Sequence, residues 1–398
     1  MNKSENEKNG PKVALVCDFL TKMGGAQKTL AAICELYPNA PIYCMIYDEE
    51  GTHGIFKNHK IYTTSLQKYQ LFFRQKPKYL IGKYSRAVEE HDLSKFDIVI
   101  SSNDSYAHGV ITKPETFHLC YCHTPTRYLW DWTNEYLHEN NIGWGLKGLY
   151  IRNILHKYRL WDRASADRVD QFLANSENVR KRISKYYRQD SHVLYPPVEV
   201  SEIEMAKDSP SDYFLIVSRL ETYKRIDLVI DVCNKLQKNL IIVGEGSSRA
   251  DLEAISGPTI KFVGWQSDAK TYQFYRDCRA FIFAGEDDFG ITPVEAMAAG
   301  RPVIAYGRGG ALETVIPPPL RGGDRGGENI NPTGIFFDQP TSTSLIEAIE
   351  KLEKNYNTFT PHECRHQAEK FSKENFLHGL KSAVNNGYKE YLEKMKNV

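Results

Sequence analysis

Short apolar runs alternate with longer amphipathic stretches along almost the whole chain, and they fall into two series. The first predicts strands over Val13–Phe19, Ile42–Tyr47, Phe96–Ser102, Phe117–His123, Gln171–Ser176 and His192–Tyr195. The second predicts strands over Tyr213–Ser218, Asn239–Gly244, Ile260–Trp265, Ala280–Ala284, Pro302–Tyr306 and Gly334–Phe337. Such runs, separated by amphipathic segments, argue for parallel sheets covered by helices on both faces. The expected class is α/β, with two Rossmann-like domains. The break falls at Tyr195-Pro196-Pro197-Val198 and the polar Glu199–Ser211 that follows. Domains are therefore expected over residues 11–197 and 198–375, with 1–10 a disordered tail and 376–398 a helix packing back on the first domain. A length of 398 residues suits two or three domains better than one large sheet.

The best punctuated stretch runs from Ala280 to Tyr306. A buried strand leads through an acidic, Gly-containing loop into a short helix and then a second strand. Thr292 is placed as N-cap, Pro293 in the first helical position and Glu295 three after the cap, the pattern of a capping box. Gly300 suits the position just past the helix, and Pro302 forbids continuation. Elsewhere, Pro317–Pro332 is rich in Pro and Gly without periodicity and reads as a surface loop. From Pro361 onward a long polar helix is expected, with Phe371, Phe376, Leu380 and Val384 as its core stripe.

Composition narrows the class only a little. A hydrophobic content of 41% supports full cores, and a net charge of +1 gives no global reason to expect nucleic acid. The eight cysteines are scattered without a C-x-x-C pair, which fits free thiols in a reducing cytoplasm. No apolar run approaches the length of a membrane span, so a soluble or peripheral protein is expected. Charge is nonetheless uneven. Residues 51–88 contain no Asp or Glu but carry cations from Lys57 to Arg86 among Tyr62, Tyr69, Phe72, Tyr79 and Tyr84. That mixture suits an anionic membrane surface, or equally a solvated basic face with its aromatics turned inward.

The candidate chemistry follows the carboxyl ends of the strands, where α/β sheets bind ligands. Arg219 can grip a phosphate through two parallel hydrogen bonds, and Lys224 can add a point charge; solvated surface cations are the bland reading. Asp287 and Glu295 stand seven residues apart, with Glu286 beside the first. Each has a structural alternative, as a loop acid and as a capping residue, and a hydrolytic carboxylate pair is a further option. Gly24-Gly25 opens a helix, where amides can approach a phosphate or a sugar hydroxyl, or simply form a turn. His123 ends a buried strand ahead of Pro125 and carries the densest run of functional types, through Asp131.

These stretches together resemble the retaining glycosyltransferases of family 4, whose fold is GT-B. The likeness lies in Gly24-Gly25-Ala26-Gln27, Cys122-His123-Thr124-Pro125, Ser218-Arg219-Leu220 with Lys224, Ile242-Val243-Gly244-Glu245-Gly246, Phe262-Val263-Gly264 and Phe289-Gly290 with Glu295-Ala296. The run from His123 to Asp131 is most similar to mannosyltransferases of O-antigen and exopolysaccharide assembly. The resemblance implies two domains facing a cleft, a nucleotide-diphosphate sugar as donor (GDP-mannose) and a lipid-diphosphate-linked glycan as acceptor. It implies an enzyme peripheral to the inner face of the cytoplasmic membrane, needing neither cofactor nor metal. By the same resemblance Arg219, Lys224, Gly290 and Ile291 hold the diphosphate and Glu295 the ribose, with Gly244, Gly246, Val263, Gly264 and Trp265 around the base. His123 and one of Glu286 and Asp287 would meet the transferred sugar, and Gly24 and Gly25 the donor phosphates or the acceptor. The family usually has Glu where this chain has Asp287, which leaves open which acid touches the sugar. Another GT-B enzyme, such as a sugar-nucleotide epimerase or a phosphorylase, and a catalytically silent nucleotide-sugar-binding subunit are the alternatives.

Overall fold

The computed structural model describes residues 10–70, 72, 77–206, 209–319 and 331–397, without the side chains of 77–79. The tail expected over residues 1–10 and the loop over 317–332 lie largely outside these residues. The chain divides into two compact units, residues 1–195 with 377–398, and residues 196–376.

The first unit is built on seven parallel strands. They are β1 (Val13–Leu20), β2 (Ile42–Tyr47), β3 (Ile61–Thr63), β4 (Ile98–Asn103), β5 (Phe117–Cys122), β6 (Gln171–Ala174) and β7 (Ser191–Val193). Their order is β3-β2-β1-β4-β5-β6-β7, and Leu15 of β1 stands between Ile42 and Ile100. The second unit has six: β8 (Phe214–Val217), β9 (Leu240–Val243), β10 (Ile260–Gly264), β11 (Ala280–Phe283), β12 (Val303–Tyr306) and β13 (Gly334–Phe337). Their order, β10-β9-β8-β11-β12-β13, repeats that of the first six strands of the other unit. In both sheets the direction of winding reverses once, between β1 and β4 and between β8 and β11. Helices then leave on opposite faces, and a crevice opens at the carboxyl ends of the two central strands.

Burial explains why these runs became strands. All four residues of β11 are buried, as are all six of β4 and of β5. Covering helices are amphipathic in the usual manner: Ile226–Leu236 turns Ile226, Val229, Ile230 and Cys233 inward, positions that share one face at helical spacing. All eight cysteines are buried and free. No helix among the described residues is long and apolar enough to cross a membrane.

Two elements differ from the sequence reading. Strand β3 was not anticipated, because it has three residues and two of them are exposed. It is held at the sheet edge by register with β2 and by Tyr62 stacked on Tyr43 at 4.8 Å. The single long C-terminal helix is instead two, Pro361–Glu369 and Lys373–Lys396. The break comes from a backbone competitor. Val198 N–H donates to the Phe371 carbonyl at 3.1 Å, and Lys373 N–H donates to the Val198 carbonyl at 3.0 Å. Beyond Phe376 the last helix belongs to the first unit, where Leu380 and Val384 are buried and Tyr391 packs on Phe117 at 5.7 Å. A Cβ at Gly387 would stand 2.6 Å from Phe117 Cζ, so this helix lies tightly against the strands. Leu380→Ala should therefore cost about 2–5 kcal/mol of stability, read by urea unfolding. A loss below about 0.5 kcal/mol would show that the helix does not contribute to that core.

Candidate functional site

The crevice of the second sheet lies where the loops after β8 and β11 leave neighbouring strands. After β8 the chain is pinned by Ser218 N–H to the Val243 carbonyl at 3.0 Å and by Leu220 N–H to the Glu245 carbonyl at 3.0 Å. One 3-10 turn, Thr222–Lys224, follows, and Arg225, with φ +52, redirects the chain into helix Ile226–Leu236. The turn brings Lys224 to the loop after β11. Its ammonium donates to both oxygens of Asp287, at 2.7 and 2.5 Å, with the two side chains 13% and 26% exposed. Gly285 permits the approach: a Cβ there would stand 3.0 Å from Lys224 Cα. Arg219 is exposed on the same loop, with one bond from Nη2 to the Tyr223 hydroxyl at 3.3 Å.

The acidic loop is held from its other side by a pair of glycines that sequence reasoning missed. Gly310 N–H donates to the Asp287 carbonyl at 2.9 Å. Cβ atoms at Gly309 and Gly310 would collide with the Asp287 carbonyl and with the Phe289 backbone. The available signal was a Gly-Gly pair shortly after a strand, the same signal that drew attention to Gly24-Gly25.

The helix that follows starts earlier than the capping-box reading placed it. It spans Ile291–Ala298 with Gly290 as N-cap in the left-handed region (φ +85), a residue that has no side chain to cap the first amides. A Cβ at Gly290 would press to 3.2 Å on the Phe283 ring. Thr292 lies inside the helix. Glu295 is buried, and its Oε2 accepts from the Tyr275 hydroxyl at 2.9 Å. The far end is as expected: Gly300, with φ +79, donates to Met297, and Arg301 N–H reaches back to Ala296 at 3.0 Å.

The structure thus brings Lys224, Asp287, Gly290 and Ile291 to one edge, with Arg219 and Glu286 on the same two loops. Gly244 and Gly246 lie beside them for a backbone reason. A Cβ on either would strike the carbonyl oxygen of Ser218 or of Leu220, and Gly244 has φ +130. Gly244 N–H also donates to the Gly264 carbonyl at 2.8 Å, which ties in the end of β10. There Val263 is half-buried, Gly264 has φ +72, and the Trp265 indole is exposed.

His123, Gly24 and Gly25 belong to the first unit. Gly24 is the N-cap of helix Gly25–Leu36 with ordinary extended backbone, and Gln27 anchors that helix by donating to the Phe19 carbonyl at 3.1 Å. His123 is buried, 2.9 Å from the Ser102 hydroxyl through Nε2. Burial pushes its imidazole down to about 4, against the upward pull of Asp104. Two buried acids support this region. Asp18 accepts from the backbone N–H groups of Asp104, Ser105 and Tyr106 at 2.6–2.8 Å. Asp162 accepts from the Trp130 indole at 2.7 Å and from the Tyr187 hydroxyl at 3.2 Å. Burial raises both carboxyls to about 7. Among the described residues no group of three or more His, Cys, Asp or Glu could hold a metal ion.

The family model described as Glycosyltransferase Family 4 matches residues 23–202, and that described as Glycosyl transferases group 1 matches residues 200–374. An alpha-1,3/1,6-mannosyltransferase of Dictyostelium discoideum is 23% identical over 50% of this chain and 56% of its own length. A GDP-mannose-dependent alpha-mannosyltransferase of Mycobacterium tuberculosis is 27% identical over 41% of this chain and 43% of its own. The matched region thus spans about half the length of these relatives. The crystal structure of Anabaena HepE in complex with UDP-glucose superposes with a TM-score of 0.64 at 16% identity, covering 94% of this chain and 99% of that one. At that identity it shows a shared fold.

Two outcomes check this geometry. Asp287→Asn should lower stability by about 1–3 kcal/mol, because it leaves a mostly buried ammonium without its anion; unchanged urea unfolding would mean the pair carries no stability. His123 should stay neutral from about pH 5 upward, seen as imidazole C–H shifts that move only below about pH 5. The unfolded state, with the ordinary value of 6.5, binds more protons between about pH 4 and 6.5, so His123 lowers stability as pH falls through that window. A midpoint near 6.5 in the folded protein would contradict the buried environment.

Proposed function

The chain belongs to glycosyltransferase family 4, and we propose that it is a retaining enzyme that moves a mannosyl group from GDP-mannose to a lipid-linked glycan in surface polysaccharide assembly, at the inner face of the cytoplasmic membrane. The observation that carries this reading is the meeting of Lys224, the exposed Arg219 and the helix start at Gly290 on one edge of the second sheet. Breaking the bond between the anomeric carbon and the diphosphate leaves positive charge on the sugar and negative charge on the departing phosphate. Arg219 can take two phosphate oxygens in a fork, Lys224 adds a compact positive charge, and the amides of Gly290 and Ile291 point the positive end of a helix dipole at the same place. Such fixed donors stabilise a leaving group without reorganising during the reaction.

The remaining roles follow from chemistry. Glu295, oriented by Tyr275, is a carboxylate suited to accept from ribose hydroxyls. Trp265 offers an exposed aromatic face to the base. Glu286 and Asp287 are the acids available to the sugar hydroxyls. His123, being neutral, is suited to a hydrogen bond with a sugar hydroxyl and not to acid catalysis. The mannosyl and guanine assignments draw on the names of the partly matching relatives.

Arg219→Ala and Lys224→Ala should each lower kcat/KM for transfer by roughly 10²–10³, the effect of removing one aimed donor, while circular dichroism stays unchanged. Normal turnover in both variants would remove the diphosphate assignment. In a thermal-shift panel GDP-mannose should raise the Tm more than UDP- or ADP-sugars; a larger rise with a UDP-sugar overturns the guanine reading. Because two side-chain cations serve the leaving group, EDTA should leave turnover unchanged; loss of activity restored by Mg²⁺ or Mn²⁺ would refute metal independence.

A further inference from the structure

Helix Leu146–Ala166 of the first unit buries Gly148, Leu155, Tyr158 and Asp162 along one side. The opposite side of such a helix ordinarily carries polar residues. Here its first two turns present Leu146, Leu149 and Tyr150, which are 89%, 51% and 66% exposed, and Trp144 just ahead is 76% exposed. Their display is built into the backbone. Gly148 lies so close to the Gly143 carbonyl that any Cβ would collide with it, so the Gly143–Gly145 turn folds onto the helix start. Trp144 lies on that turn and Leu146 opens the helix, both exposed. The Arg152 guanidinium sits over the Trp144 ring at 4.1 Å.

Along the chain through this apolar tip the charges are of one sign. Residues 140–161 contain no Asp or Glu and include Lys147, Arg152, Lys157 and Arg159. The nearest acids in sequence are Glu139, on the helix before, and Asp162, which is buried. We propose that this tip is a membrane-docking surface: Trp144, Leu146, Leu149 and Tyr150 enter the headgroup boundary of an anionic bilayer, and Lys147 and Arg152 meet lipid phosphates. An indole beside a guanidinium suits the headgroup level, where one end of each group is apolar and the other wet. A second copy is a poorer occupant, because a symmetric contact sets this patch against itself and brings like charges together.

Of the basic stretch 51–88, residues 71 and 73–76 and the side chains of 77–79 lie outside the described residues, and among the rest Tyr62 and Phe72 are exposed. Leu66, Leu80 and Tyr84 are buried, and the ammonium groups of Lys68 and Lys83 lie over the Tyr69 ring at 5.2 and 4.7 Å. Its aromatics are partly turned into the core, and two of its cations already cover one of them.

The test is flotation of the full chain with phosphatidylcholine–phosphatidylglycerol vesicles, against phosphatidylcholine alone, at low and at about 1 M salt. The wild type should float with the anionic vesicles and lose most of its binding at high salt. The double variant Leu146→Ser/Leu149→Ser should lower the bound fraction at least about tenfold at low salt. Lys147→Glu/Arg152→Glu should abolish the preference for anionic lipid. Lys68→Glu/Lys83→Glu should float as the wild type does. The substituted side chains are exposed except Arg152, which is half-buried, and an unchanged thermal shift with GDP-mannose would show that a variant is folded with its donor site intact. Absent flotation of the wild type, equal flotation of the Leu146/Leu149 variant, or loss only in the Lys68/Lys83 variant would each overturn the proposal. So would a dimer in light scattering that the Leu146/Leu149 variant abolishes while vesicle binding is absent. Failure of the donor assignment would show in the thermal-shift panel and leave the flotation result standing.

Discussion

The candidate site depends on one close approach, that of the loops leaving β8 and β11. Neighbouring parallel strands run about 4.8 Å apart, so their loops start within reach of each other only at the place where winding reverses. Elsewhere the succeeding helices carry the chain away over one face. Contact then requires that no side chain intervene, which is the role of Gly285 against Lys224 and of Gly309 and Gly310 against the acidic loop. With those three positions filled by glycine, the ammonium of Lys224 and the carboxylate of Asp287 meet although they are far apart in sequence.

Much of this was legible in the chain itself. Most of the twelve strands read from the chain are largely apolar, as β11 and β12 are, the pattern that a covered parallel sheet imposes, whereas β7, with Ser191 and His192, was read despite its polar residues. The exception, β3, is short and half wet, so it lacks that pattern and is visible only through pairing with β2. Arg219, Lys224, Asp287 and Gly290 could be singled out as following strand ends. Their partners could not. Sequence spacing gave no hint that Lys224 would bond to Asp287, or that Glu295 would be taken by Tyr275 on another helix. The capping box failed for a related reason. A residue with φ near +85 can open a helix as well as end one, and Gly290 started this helix before Thr292 could cap it.

The two units use buried polarity differently. In the second, the polar groups at the crevice are partly exposed and supported by backbone contacts. In the first, Asp18 and Asp162 are fully enclosed, and each is surrounded by donors that fix a particular loop: residues 104–106 for Asp18, and Trp130 with Tyr187 for Asp162. An enclosed carboxyl whose donors are all occupied holds its loop in one arrangement, because any other leaves a polar group unpaired at a cost of about 1–3 kcal/mol. The segment that carries His123 is thereby set by groups remote from it in sequence.

The doubly bonded ammonium of Lys224 has a consequence for discrimination. An anion arriving there meets a positive charge already engaged, with a negative charge 2.5 Å behind it. A bare phosphate gains little from such a couple, since it is repelled by one half as it is attracted by the other. A molecule that presents acidic oxygens and hydroxyl hydrogens side by side answers both halves at once. On the proposed reading the couple would work as a coincidence detector, favouring a glycosyl phosphate over inorganic anions.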